Sequence, residues 1–169
     1  MIDIRPERSQ DLAPARRVHE LAFGEGSSEG ALVDALRDGR HTLPELCIVA
    51  VDGDEVVGHI VHSRVRLESG HEALALAPMA VLPERQRAGI GSRLVSVSIA
   101  VAAATDFPLV VVVGHPEYYP RFGFEPAADL GLRDPWGVRP EAWMAYRLPA
   151  HTPEARGLVT YPPPFAAVT

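Results

Sequence analysis

Ala77-Pro-Met-Ala-Val-Leu-Pro-Glu-Arg-Gln-Arg-Ala-Gly-Ile-Gly-Ser-Arg-Leu94 is the stretch on which the fold turns. Leu74, Leu76, Met79, Val81 and Leu82 make an apolar run that ends at Pro83. Leu94, Val95, Val97, Ile99 and Val101 follow in an Ala/Val/Ser-rich segment that reaches Asp106. The first run has the length of a strand and the second is too long for one, so the polar turn between them joins a strand to a helix. A helix start presents N–H groups without intrahelical partners and the positive end of the helix dipole. Gly89 and Gly91 sit at that start, where the absence of a Cβ lets a bulky anion reach the backbone. With Arg85, Arg87 and Arg93 alongside, the turn has the composition of a pyrophosphate cradle. An ordinary strand-to-helix loop would use the same glycines for turn geometry, and the glycines alone do not separate the two.

Two other phosphate motifs are excluded. A dinucleotide fingerprint needs a third glycine where Leu94 stands. A nucleoside-triphosphate loop needs Gly-Lys-Ser/Thr, and the chain has no lysine. Gln86-Arg-Ala-Gly-Ile-Gly91 instead resembles the Gln/Arg-x-x-Gly-x-Gly/Ala motif of the GNAT superfamily of N-acetyltransferases. Tyr119-Pro-Arg-Phe-Gly-Phe124 resembles the Tyr-x-x-x-Gly-Phe element of the same superfamily, and a helix and a buried strand separate the two motifs as they do there. The wider run from His115 to Phe124 is similar to the YhbS-like branch. The resemblance covers residues 1–148, and the Pro-rich tail also looks similar to that branch.

A chain of 169 residues is one domain, large enough for a core, and its 47% apolar and 22% charged composition is that of a globular protein. We expect a single domain over 1–148 and a Pro-rich C-terminal arm over 149–169, extended at Pro162-Pro-Pro164. The net charge of −6 argues against a nucleic-acid partner and suits a cationic or amine substrate, as it also suits an ordinary soluble protein. One cysteine, Cys47, lies in the apolar run Leu46–Val51 and reads as a buried small hydrophobe. No basic leader and no bilayer-length apolar run is visible, so the expectation is a cytoplasmic protein with no membrane partner. The seven histidines lack metal-ligand spacing, so no metal is expected.

Met1–Arg5 alternates like a strand, and a helix capped by Ser9 or Asp11 follows, with Leu12, Ala15, Val18, His19, Ala22 and Phe23 on one face. A second helix spans Glu29 to Asp38, stopped by Gly39. Leu46–Val51 and Val56–Leu67 read as a hairpin about Asp52-Gly-Asp-Glu55, with a third strand over Ala73–Leu82. Pro78 inside that strand signals a bulge or a break in pairing. Ser92–Thr105 reads as the central helix, Leu109–Val113 as a strand buried on both faces, and Glu141–Leu148 as a final strand. The order implies an α/β (α+β) fold with a mixed, mostly antiparallel sheet of six or seven strands and helices on both faces.

The resemblance implies that this sheet splays between the strands ending near Val81 and Val113. It implies that acetyl-CoA is the co-substrate, held by Met79, Ala80 and Val81 along its pantetheine arm and by Gln86, Arg87, Ala88, Gly89, Ile90, Gly91 and Ser92 at its pyrophosphate. Arg85, Arg87 and Arg93 are equal candidates for a phosphate contact. Tyr119 aligns with the superfamily's general acid, since a phenol is protonated at neutral pH and can supply a thiolate. Tyr118 is its immediate competitor. For the base, His115 and His62 stand beside His59, Glu25 and Glu29. His59 and His62 are an odd number of residues apart, so a regular strand points them to opposite faces. Glu25, Glu29, Tyr118 and Trp136 are candidates for the acceptor wall, as is Trp143. The expected activity is direct transfer of an acetyl group to a primary amine of a small molecule or peptide, by a monomer or homodimer. The alternatives are transfer of a longer acyl group, a non-catalytic acyl-CoA-binding module, or an interaction role for the Pro-rich tail.

Overall fold

The computed structural model describes residues 1–168. Strand β1 (Ile2–Pro6) is followed by helices α1 (Leu12–Phe23) and α2 (Glu29–Asp38). Three antiparallel strands come next: β2 (Thr42–Asp52), β3 (Glu55–Leu67) and β4 (Glu72–Val81). Helix α3 (Ile90–Ala102), β5 (Leu109–Val113), the two-residue β6 (Glu125–Pro126) and β7 (Leu132–Arg133), β8 (Trp143–Arg147) and β9 (Gly157–Thr160) complete the chain. The sheet runs β1-β2-β3-β4-β5-β8-β6, with β9 joining β3 and β7. Every pair is antiparallel except β4 with β5 and β7 with β9.

Helices lie on opposite faces of this sheet. A Cβ on Gly58 would sit 3.0 Å from Leu94 and 3.2 Å from Ile90, both of α3. The next residue, His59, bonds to His19 of α1. Neighbouring residues of a strand point to opposite faces, so α3 covers one face and α1 the other. Gly58 is a strand glycine because the helix packs where its side chain would be. The α3 face buries Leu74, Leu76, Val110 and Val112 under Leu94, Val95 and Ile99.

Several boundaries differ from the sequence reading. Helix α3 starts at Ile90 rather than Ser92, because Gly89 in the left-handed region (φ 84) sets the turn and its carbonyl accepts the first helical bond, from Arg93 N–H at 3.1 Å. It ends before Ala103, where i+3 bonds tighten the last turn and the Thr105 hydroxyl donates to the Ala102 carbonyl at 2.6 Å. Neither Ser9 nor Asp11 caps α1 with its side chain; they form a 3-10 turn, and Asp11 accepts the Arg8 N–H at 2.7 Å and the Arg5 guanidinium at 2.6 Å.

The sheet has nine strands among the described residues rather than six or seven, because two-residue pairings and the tail add to it. The tail is not simply extended. β9 pairs Val159 with Leu67 and Thr160 with Arg66, on the part of β3 that runs past the last β2 pair, Thr42 with Ser63. A 3-10 turn then docks Phe165 against Leu32, Val33 and Leu36 of α2. Strand β8 is therefore not the last.

Candidate active site

Strand β4 carries a bulge where Pro78 lies. Ile60 pairs with Met79 but His62 pairs with Leu76, so β4 has one residue more than β3 across this interval. On its other side β4 pairs with β5 only at Leu74–Val110 and Ala75–Val111. From Leu76 onward the two strands carry no pairing, and the sheet has a slot there. Leu82 N–H bonds to Val57 O at 2.9 Å, and Ala80 is paired with His59. By the alternation of an antiparallel ladder, the backbone polar groups of Met79 and Val81 then face the open edge.

At the end of that edge the backbone N–H groups of Arg87, Ala88, Gly89, Ile90, Gly91 and Ser92 have no hydrogen-bond partner among the described residues. Gly89 (φ 84) and Arg87 (φ 62) both take left-handed backbone angles, which turns successive N–H groups toward one concavity. A Cβ on Gly89 would meet nothing within 4 Å, so the glycine answers to the backbone angle and to whatever occupies the concavity, not to packing. The site would fit a pyrophosphate: six unpaired donors, a helix dipole and a nearby guanidinium.

The three arginines separate. Arg85 is bound to Asp52 at 2.7 Å and lies 3.6 Å from Glu55, across the hairpin. Arg93 donates to the Ile2 carbonyl at 3.1 Å. Arg87 is exposed and has no ion pair among the described residues. Gln86 donates its amide to the Val81 carbonyl at 3.0 Å, tying the turn to the open edge.

The two tyrosines also separate. Tyr118 reaches back to α3, with its hydroxyl 3.2 Å from Ser92 Oγ and Arg121 over its ring at 4.6 Å. A Cβ on Gly91 would lie 3.4 Å from that hydroxyl, 3.8 Å from Met79 and 3.8 Å from Val81, so these residues meet at one mouth. Tyr119 is 8% exposed and packs edge-on against Tyr118 and Phe124. Burial, with Tyr118 beside it, pushes its hydroxyl pKa up to about 12, so it is a protonated donor throughout the neutral range. Its ring fits because residue 114 is glycine: a Cβ there would be 2.3 Å from Tyr119 Cε2.

The histidine candidates fall in three places. His115 is exposed just beyond β5. His62 lies one ladder step from Ile60 on the α3 face, fully buried with neither ring nitrogen hydrogen-bonded among the described residues, and burial lowers its pKa to about 4. His59 lies on the α1 face, 2.7 Å from Glu7 Oε2 and 2.9 Å from His19 Nε2. Arg37 grips Glu7 with Nε at 2.8 Å and Nη2 at 2.9 Å. Burial raises the Glu7 pKa, but the bonds from His59 and Arg37 together outweigh it and hold the carboxyl at about 2. Sequence reasoning did not single out Glu7 or His19 as functional. The one signal was a histidine standing on the apolar face of α1.

Of the acceptor-wall candidates, Glu25 is exposed in the α1–α2 loop and Glu29 opens α2. Trp136 does not join Tyr118; it packs at a tilt on Tyr161 at 4.1 Å and on Phe165 at 6.3 Å. Trp143 is buried and donates to the Leu132 carbonyl at 3.1 Å. Cys47 is buried, which lifts its thiol pKa to about 12. No group of three or more metal-ligating side chains occurs among the described residues, and no helix among them is long and apolar enough to cross a membrane.

Known proteins resemble this chain in sequence and in fold. Residues 44–126 match the family described as Acetyltransferase (GNAT) domain. The chain is 36% identical over 147 residues to the uncharacterized N-acetyltransferase YjhQ of Escherichia coli (strain K12), covering 83% of this chain and 81% of that protein. It is 33% identical over 127 residues to the uncharacterized N-acetyltransferase YhbS of the same strain, covering 73% and 74%. The crystal structure of YhbS from Escherichia coli in complex with CoA matches with a TM-score of 0.88 at 29% identity, over 98% of this chain and 92% of that one. A GNAT family acetyltransferase from Brucella melitensis in complex with acetyl-CoA matches with a TM-score of 0.80 at 32% identity, over 98% of both chains. The fold, the family match and the extent of identity agree, and the chain belongs to the GNAT family of acetyltransferases.

Proposed function

We propose that the protein transfers the acetyl group of acetyl-CoA to a primary amine of a small molecule or peptide, directly and within one ternary complex. The observation that carries this reading is the row of six unpaired N–H groups from Arg87 to Ser92 at the end of the open β4 edge. Bound there, acetyl-CoA supplies an activated acyl group on a thiolate leaving group. The turn holds the pyrophosphate, with Arg87 as the free cation beside it. The edge groups of Met79 and Val81 pair with the amides of the pantetheine arm as a neighbouring strand would. One of their N–H groups faces the charge that develops on the carbonyl oxygen, where a fixed donor has its largest effect. Tyr119 supplies a proton to sulfur. Glu25 in the α1–α2 loop and Glu29 at the start of α2 form the acceptor side, and the domain of 1–148 carries the chemistry.

Thermal unfolding with CoA, acetyl-CoA and a longer acyl-CoA tests this. A ligand at ~100 times its Kd stabilises by ~2.7 kcal/mol, and each kcal/mol is worth roughly 2–4 °C in a chain of this size. We expect the shift to be largest with acetyl-CoA and to vanish in Gly89→Glu, which puts a carboxylate in the phosphate concavity. An amine screen then separates enzyme from binding module: Tyr119→Phe retains the shift and loses turnover by roughly 10²- to 10⁴-fold. No shift with any ligand sinks the reading. A Tyr119→Phe protein with unchanged turnover removes that residue from it.

A further inference from the structure

Strand β2 bows away from β3 near its start and opens a cavity there. Thr42 pairs with Ser63 but Cys47 pairs with Val61, so the residues between them swing outward at Pro44. The chain just past β1 and the C-terminal end of α2 close over this bow and leave about 500 Å³ between them. That is room for a small organic molecule rather than for a single ion. The charge of the cavity is one-sided. Arg8, Arg37, Arg40 and Arg64 line it, against one carboxylate, Glu7. Glu7 is already taken, by Arg37 at 2.8 and 2.9 Å and by His59 at 2.7 Å. Arg37 in turn uses its third nitrogen on Asp34, at 3.0 Å.

The other three arginines have no carboxylate within ion-pair distance among the described residues. Asp11 is held by Arg5 at 2.6 Å and feels Arg8 only at longer range. The chain has 22 acidic residues for 16 arginines, and eight of those arginines are ion-paired among the described residues. With acid in excess, three unpaired guanidinium groups gathered in one concavity are a deliberate exception, because they repel one another. Two of them are also fixed. Arg64 Nη1 donates to the carbonyls of Arg40 at 3.2 Å and Thr42 at 3.4 Å, which holds one cation beside the residue that carries another. Arg40 ends α2: its N–H bonds to the Arg37 carbonyl at 2.9 Å and the His41 N–H to the Leu36 carbonyl at 2.9 Å, with Arg40 in the left-handed region at φ 57. Glycine is the usual residue at that position, and an L side chain there costs about 1–2 kcal/mol. The α2 dipole favours a cation at this end and offsets part of that cost. It does not account for Arg8 or Arg64, which come from other parts of the chain.

We propose that this cavity binds a small molecule bearing a multivalent oxyanion, a phosphate monoester or a polycarboxylate, gripped by Arg8, Arg40 and Arg64. The planar fork of a guanidinium matches either oxyanion with two parallel hydrogen bonds. Leu12 and Pro44 line the same cavity and give the carbon part of such a ligand an apolar wall. The site is distinct from the glycine turn. Arg93, in the first turn of α3, is tied to Ile2 at one end of β1, and the cavity begins past Pro6 at the other end, about 13 Å of strand away. Occupancy here therefore requires nothing of the CoA turn.

Isothermal titration calorimetry of the full chain at pH 7 tests this, with inorganic phosphate and citrate as probes and chloride keeping the ionic strength constant. Saturable binding is expected, and the tighter probe identifies the source: phosphate for a phosphorylated ligand, citrate for a polycarboxylate. Arg8→Gln and Arg40→Gly are each expected to weaken it on the order of ten-fold, the loss of one charge-assisted contact. Gly89→Glu, which blocks the turn, is expected to leave it unchanged. Arg40→Gly separates binding from stability, because glycine relieves the left-handed backbone. In chloride alone this variant is expected to melt no lower than the wild type, and to gain less from the anion. An Arg40→Gly protein that melts lower and keeps its anion affinity makes Arg40 a structural residue and overturns the proposal. So does the absence of saturable binding of either probe, an unchanged affinity in both arginine variants, or a loss of binding confined to Gly89→Glu.

Discussion

The turn at the start of α3 and the side-chain row beneath α1 are built on opposite principles. The turn is a local object. Its chemistry is backbone N–H, its residues are consecutive from Arg87 to Ser92, and its donors are unpaired. The row is a tertiary object. His19 and His59 are 40 residues apart, His59 and Glu7 are 52 apart, and nearly every polar atom in it is paired. A local site can stay open because the helix that presents it is stabilised elsewhere, by Leu94, Val95 and Ile99 on the sheet. A buried polar row depends on its pairing, because in a low-dielectric interior each unpaired polar atom is costly, whereas water satisfies an unpaired surface donor.

Removing Glu7 should break this contrast most severely. Glu7→Gln leaves Arg37 and His59 without their anion, and loss of one partner from a buried pair costs roughly 3–5 kcal/mol. The folded pKa of Glu7, about 2, lies below its ordinary 4.5, so its stabilisation is complete above pH 4.5 and is lost as pH falls toward 2. Urea unfolding at pH 7 and pH 3.5 should show a large deficit for the variant at the first pH and a smaller one at the second. Equal deficits would mean that the row is held by packing rather than charge.

On the α3 side the corresponding break is Gly114→Ala. Its Cβ would need the space of Tyr119 Cε2, 2.3 Å away, so the ring must move. Overpacking of this kind costs about 1–3 kcal/mol. Turnover should fall while the acetyl-CoA thermal shift persists, since the turn is untouched. A variant with normal turnover would show that the position of Tyr119 is not critical.

His62→Leu sharpens the comparison, because His62 is buried on the α3 face outside the row. Its folded pKa of about 4 lies below the ordinary 6.5, so the unfolded chain binds the proton first and stability falls as pH drops from 6.5 toward 4. The leucine variant should be within about 1.5 kcal/mol of wild type at pH 7 and gain on it by about 2 kcal/mol at pH 5, read by urea unfolding. Unchanged pH dependence would mean that His62 reaches solvent.

The smallest effect separates the arginines. Arg87→Ala should weaken CoA by two- to five-fold in a salt-dependent way, as expected for an exposed ion pair. Arg85→Ala should leave CoA affinity unchanged, since Arg85 is bound to Asp52. Titration of CoA at two salt concentrations checks both, and a larger loss for Arg85→Ala would reverse the assignment.

These contrasts follow what was legible in the chain. The glycine turn, the bulge at Pro78, the tight turn between β2 and β3 and the span of α2 could all be read beforehand, because each depends on a few consecutive residues with strong backbone preferences. The resemblance pointed to Tyr119 with Tyr118 as its competitor, and only folding separates them, burying Tyr119 and setting the Tyr118 hydroxyl beside Ser92. Helix ends were off by two or three residues, since Gly89 and Thr105 trade off against hydrogen bonds that composition does not reveal. Trp136 was placed on the acceptor wall but packs on Tyr161, because β9 carries the tail back across the sheet. Among three similar arginines, only folding ties Arg85 to the hairpin and Arg93 to β1.

By itself, the sequence determined the strand-turn-helix that presents free N–H groups, since glycine, proline and apolar periodicity act on the backbone locally. Only the tertiary structure decided which histidine meets which carboxylate. His59 and His62 carry the same chemistry on one strand. Strand alternation sends one toward α1, Glu7 and His19, and the other under α3, where no charge awaits it.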